Sequence, residues 1–169
     1  MLFQVGNKVV HPSYGAGTIV GIQEASIEDA NHVYYVIEAV AKSMQLMVPV
    51  RRARDLGLRR VGEARRLRQL LRLPGSWVVP EDQMKNHNIR HKYMQERIKS
   101  GRFSEVADIV RALSSMSSQR TLGKVDREIF NRGKDLLAGE LALAAGLEVR
   151  LAMQEVEETL VATLETEQG

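Results

Sequence analysis

Hydrophobic periodicity switches once along this chain, close to Gly57, and that switch confines the fold to a β module followed by an α module. Before it, Lys8–Val10, Gly17–Ile22, Val33–Val40 and Gln45–Val50 are short runs rich in Val, Ile and Tyr, the composition of strands. Between them lie the turn-prone segments Pro12-Ser13-Tyr14-Gly15, Glu28-Asp29-Ala30-Asn31 and Lys42-Ser43. Four or five strands within about 55 residues cannot build a sandwich. They can close into a small SH3-like or Tudor-like barrel, an architecture that leaves an edge strand.

After Gly57 the apolar residues take up helical spacing. Val61–Leu73 places Leu67, Leu70 and Leu71 on one face while Arg65, Arg66, Arg68 and Arg72 largely avoid it, and Pro74-Gly75 ends the run. Ser76–Pro80 reads as an irregular connector. Further helices are expected from about Asp82 or Lys85 to Lys99, from Phe103 to Met116, from Leu122 to Ala145 and, beyond Gly146, from Glu148 to Leu164. The expected architecture is therefore a two-domain β + α chain. A small barrel occupies residues 1–57 and an all-α domain of about five helices occupies 61–165.

With 44% hydrophobic residues in 169, the chain can fill packed cores, and the lack of cysteine removes disulfides, thiolate zinc sites and thiol nucleophiles. No signal-peptide pattern opens the sequence and no apolar run reaches membrane-spanning length, so a soluble, cytoplasmic protein is expected. Charge is segregated. Nine arginines (51, 52, 54, 59, 60, 65, 66, 68, 72) oppose Asp55 and Glu63 between positions 51 and 72, while both ends of the chain lean acidic. This asymmetry suits a polyanion or an acidic protein near the middle of the molecule; solvated helix faces are the plainer alternative.

No convergent set of nucleophile, base and orienter is visible. His87 and His91 stand four apart on an expected helix, a spacing that can hold a metal. Between them run Asn88-Ile89-Arg90, without the glutamate of a zinc hydrolase, and Arg90 and Lys92 oppose a dication. Gly15-Ala16-Gly17 lies at a turn between strands and opens no helix, unlike a dinucleotide loop. The expectation is a binding module: no enzyme, no cofactor, no metal and no small-molecule substrate.

Several segments carry a family resemblance. Phe3-Gln4-Val5-Gly6-Asn7-Lys8-Val9-Val10-His11-Pro12 with Gly15-Ala16-Gly17 resembles the opening of the CarD/CdnL family of bacterial transcription regulators. That family's barrel is also similar to the RNA-polymerase-interacting module of the transcription-repair coupling factor. Met44-Gln45-Leu46-Met47-Val48-Pro49-Val50 resembles its last barrel strand. Val106–Leu113 and Leu136–Ala144 resemble parts of its helical domain.

The resemblance implies a barrel docked on the β subunit of RNA polymerase and a helical domain set against promoter DNA, stabilising the melted complex at the upstream edge of the bubble. Strand addition suits the first contact, with Ala25 and Ile27 on one segment and Met47 on the last strand as edge positions. Family members often carry arginines where this chain has Ala25 and Met47, so its contact is expected to be more apolar. The family's tryptophan wedge, early in the second helix, falls here on His87, a smaller ring that can still stack on a base. Arg90, Lys92, Arg97 and Lys99 are the implied phosphate contacts, which position without reading sequence. The single tryptophan, Trp77, is either a replacement wedge or a clasp between helices. A protein-interaction adaptor whose helices never touch DNA is the alternative, and the salt dependence of DNA binding separates the two.

Overall fold

The computed structural model describes residues 2–73 and 85–168, so the expected connector, with Trp77, lies outside the described residues. Five strands, β1 (Lys8–His11), β2 (Gly15–Ile27), β3 (Ala30–Ala39), β4 (Gln45–Pro49) and β5 (Arg59–Arg60), form one antiparallel sheet in the order β4-β3-β2-β1-β5. Phe3, Val9, Ile19, Tyr35, Ile37, Val48, Ala53 and Leu58 share one buried cluster. Val9 on β1 and Val48 on β4 have two strands between them, so the sheet must curl for both to reach it. Ala53 and Leu58, from the segment joining β4 to β5, fill its open side. The buried Tyr35 hydroxyl accepts a hydrogen bond from the Phe3 amide at 3.0 Å, which satisfies its polar end within the apolar cluster.

β2 is 13 residues long, well beyond the Gly17–Ile22 run expected from composition. The polar stretch Gln23–Ser26 shows no strand alternation in sequence. It is held as strand by pairing with β3, through Gln23 opposite Tyr34, Ala25 opposite His32 and Ile27 opposite Ala30. The sheet also takes in Arg59 and Arg60, which pair with Val10 and Val9.

Five helices follow among the described residues: α1 (Ala64–Arg72), α2 (His87–Lys99), α3 (Phe103–Gln119), α4 (Lys124–Ala145) and α5 (Val149–Gln168). Asn86 caps α2, its side chain accepting hydrogen bonds from the amides of Asn88 and Ile89 at 3.1 and 3.3 Å. Gly146, at φ +68°, ends α4 in the left-handed conformation, and the Leu147 amide bonds back to the Ala142 carbonyl at 2.9 Å. Leu67, Leu71, Met94, Ile98, Val106, Val110, Leu113, Leu137 and Leu141 belong to a second core. Arg111 reaches from α3 to the Leu70 carbonyl at 2.6 Å and so occupies an acceptor that the end of α1 leaves without a helical partner.

α4 joins the two modules. A Cβ on Gly139 would stand 3.2 Å from Val40 and 4.0 Å from Ala16, so the missing side chain lets the helix lie close on the sheet. The next residue, Glu140, receives Arg59 through two hydrogen bonds of 2.7 and 2.8 Å and the Gly62 amide at 3.0 Å. The same guanidinium donates to the Gly101 carbonyl at 2.9 and 2.6 Å. Lys8 adds a bond to the Leu143 carbonyl at 2.9 Å, and Arg132 donates to the Ser13 carbonyl. The barrel is thus bolted to the helices by charged groups that span the joint.

Candidate functional site

The sequence-predicted edge positions fall on one face of the sheet. Residues opposite each other across a ladder point to the same side, so Met47 lies with its partner Val36 and with Gly21. Tyr34 lies with Pro49 and Gln23, Ala25 with His32, and Ile27 with Ala30, in successive rows of that same face. Leu46 and Val48 point into the barrel core, which turns Met47 outward, 48% exposed. Ile27 is also exposed and Ala25 half-buried. Met47 stands on β4, which ends the sheet, so its outer margin has no strand partner among the described residues. Ala25 and Ile27 have a margin of a different origin. β1 pairs with β2 as far as Thr18 and the chain before it bonds Ile19, so the outer part of β2 is paired on its β3 side alone among the described residues.

The helical positions divide sharply. His87 is the first residue of α2 and is exposed, and Lys92 and Lys99 are exposed with no ion pair among the described residues. Arg90 is a correction to the expected phosphate contacts. It is 2% exposed, its guanidinium bound to Asp126 of α4 at 2.7 Å, so it lies in the joint between helices and not at the surface. A buried guanidinium needs a carboxylate partner, and Asp126 supplies it. The same Asp126 meets His91 at 3.0 Å, and Arg90 lies 3.2 Å from Nδ1 of His87. Arg90 is therefore placed to orient the His87 ring. Arg97 is partly withdrawn too: it donates to the Tyr93 hydroxyl at 3.0 and 2.8 Å and to Glu105 at 3.2 Å. The Tyr93 hydrogen bond, foremost, raises its pKa.

The Asp126 contacts set the first turn of α4 against the start of α2 and bring in cations that sequence reasoning did not single out. Lys124 and Arg127 flank Asp126, and Arg120 ends α3; all three are exposed and enter no ion pair among the described residues. Arg120 and Arg127, with Ser117, Thr121, Phe130 and Asn131, line a concavity of about 570 Å3 at the α3–α4 corner. The only sequence signal for them was their charge, since nothing local joins positions 87–92 to 120–127. Among the nine arginines of 51–72, Arg59 pairs with Glu140 and Arg68 with Glu155, Arg60 lies over the Phe3 ring, and Arg51, Arg52, Arg54, Arg65, Arg66 and Arg72 are exposed.

No cluster of His, Cys, Asp or Glu able to hold a metal occurs among the described residues. His87, His91 and Asp126 converge, but the Arg90 guanidinium stands among all three. No helix among the described residues is long and apolar enough to cross a membrane.

Comparison with known proteins divides the chain into the same two parts, sheet and helices. Residues 3–62 match the CarD-like/TRCF RID domain and residues 79–157 match the CarD C-terminal domain. The chain is also similar to YdeB of Bacillus subtilis (strain 168), a candidate transcription factor, with 26% identity over 146 residues that cover 86% of this chain and 94% of the relative.

Proposed function

The chain belongs to the CarD-like family of transcription factors, and from that membership we propose that it is a non-enzymatic, cytoplasmic regulator that docks on the β subunit of RNA polymerase and rests on promoter DNA near the upstream edge of the bubble. The observation that carries this reading is the outer margin of β4, unpaired among the described residues, beside the apolar face bearing Met47, Ala25 and Ile27. An added strand gains main-chain hydrogen bonds there, and the face supplies the side-chain contacts. The helical domain follows as rigid cargo, carrying His87, Lys92 and Lys99 of α2 together with Arg120, Lys124 and Arg127. These cations would hold phosphates without reading bases, and His87 would stack on an unpaired base.

Co-purification of core polymerase with the full-length chain tests the dock. Met47→Asp should abolish it, and full retention by that variant removes β4 from the contact. For the DNA side, affinity for a forked duplex should fall steeply with salt. Lys92→Ala and Arg127→Ala should each flatten the slope of log affinity against log salt by about 0.9. His87→Trp should lengthen the life of the open complex. The burial of Arg90 and the partial withdrawal of Arg97 into ion pairs favour a second reading, a polymerase-bound adaptor without DNA contact. No forked-duplex binding at any salt, with polymerase still retained, selects it.

A further inference from the structure

Beyond the end of β4 the margin of the sheet steps back by one strand. Pro49 has no amide hydrogen and is the last residue of β4 to pair, opposite Tyr34. Residues 30–33 of β3 consequently pair with β2 on one side and have no strand partner on the other among the described residues. A concavity of about 460 Å3 opens at this step, lined by residues 31–34 and 49–52. Tyr34, Pro49 and Val50 give it apolar walls, and Arg51 and Arg52 stand at its side. Both arginines are exposed, and neither forms an ion pair with this chain's carboxylates among the described residues.

We propose that this step receives an acidic segment of extended polypeptide, its main chain pairing with the open margin of β3 and a carboxylate seated between Arg51 and Arg52. Each half of the geometry selects one property of the occupant. Unpaired strand backbone asks for another strand, which a phosphate or a nucleotide cannot provide. Two guanidinium forks without partners among the described residues ask for carboxylates, which they bind through paired hydrogen bonds. The inference rests on the reading of the barrel as a polymerase dock and adds to it the charge of the docked strand and the place where that charge sits. The occupant lies in line with β4 beyond Pro49, so the apolar face around Met47 holds the neighbouring polymerase surface, while Arg51 and Arg52 select this segment by sign and steer its approach.

The test uses the full-length chain and core RNA polymerase at low and high salt. Charge reversal at both positions, Arg51→Glu with Arg52→Glu, should weaken binding about tenfold at low salt, and much less at high salt, mainly through the association rate. Arg51→Lys with Arg52→Lys should retain most of the affinity. Equal binding by the reversed and parent proteins overturns the inference and leaves the dock intact. Failure of the parent to bind polymerase overturns the dock, and a peptide arm then tests the step alone. A Val-Glu-Val-Glu-Val-Glu peptide should shift the amide resonances of residues 30–34 and 50–52, and a Val-Lys-Val-Lys-Val-Lys peptide should not. Equal shifts from both peptides, none from either, or the same shifts from inorganic phosphate overturn the proposal.

Discussion

Asp126 holds two partners at once, Arg90 at 2.7 Å and His91 at 3.0 Å, and it does so in a nearly dry joint between α2 and α4. Removing a carboxylate from such a site leaves a guanidinium buried without its counter-charge. Asp126→Ala should therefore destabilise the protein by about 3–5 kcal/mol in urea unfolding. The double variant Arg90→Met with Asp126→Leu should lose far less, because it replaces the pair with apolar volume. His11 supplies the pH dependence at this scale. Burial lowers its pKa from the usual histidine value, and its Nδ1 accepts the Ser13 amide at 3.1 Å, which requires the ring to be unprotonated there. The unfolded chain then takes up the proton first as pH falls. Stability tied to neutral His11 is complete above about 6.5 and is lost as pH drops from there through the folded-state pKa. The thermal midpoint should fall between about pH 7 and pH 5, with a shallower fall in His11→Gln. Neither role was legible in the sequence, where Arg90 was one cation in a basic helix and His11 lay just past the expected strand Lys8–Val10.

At the scale of elements, the long β2–β3 arm turns through Glu28 at φ +51° and Asp29 at φ +62°. Two successive left-handed residues are what a tight hairpin needs to match strand twist, and asparagine followed by glycine adopts them with the least strain. Glu28→Asn with Asp29→Gly should stabilise the protein by about 1 kcal/mol, read as a higher urea midpoint with an unchanged slope. The helices were the legible part of the fold. Phe103, Ala145 and Lys99 mark boundaries in the structure as they do in the sequence, since capping residues and apolar spacing act within a turn or two. The arm was the illegible part. Gln23–Ser26 has no apolar alternation, and what makes it a strand is a ladder to residues 31–34 across the turn.

For the molecule as a whole, the Arg59–Glu140 contact governs how surfaces on the barrel relate to surfaces on the helices. Glu140 is 3% exposed and receives both the guanidinium and the Gly62 amide. Glu140→Ala should cost about 2–3 kcal/mol and strip the joint of its main polar tie. Hydrogen exchange should then protect the barrel and the helical core to different extents, where the parent opens both together. The same variant should keep polymerase binding through β4 while shortening the open complex, because a dock that no longer fixes the helices cannot aim them. Equal exchange in variant and parent would show the apolar seam around Gly139 to be sufficient.

Local pattern alone determined that a β module precedes an α module, that Met47 points away from Leu46 and Val48, and that the chain resembles the CarD family. Periodicity, turn chemistry and family motifs are written in neighbouring residues, and neighbours suffice to read them. The tertiary structure decided which cations are spent inside the fold and which face solvent. Arg90 meets Asp126 across 36 positions and Arg59 meets Glu140 across 81, distances over which sequence carries no pairing signal. A charge is buried or exposed according to what the packed helices bring against it, and that is settled only when the two cores have closed.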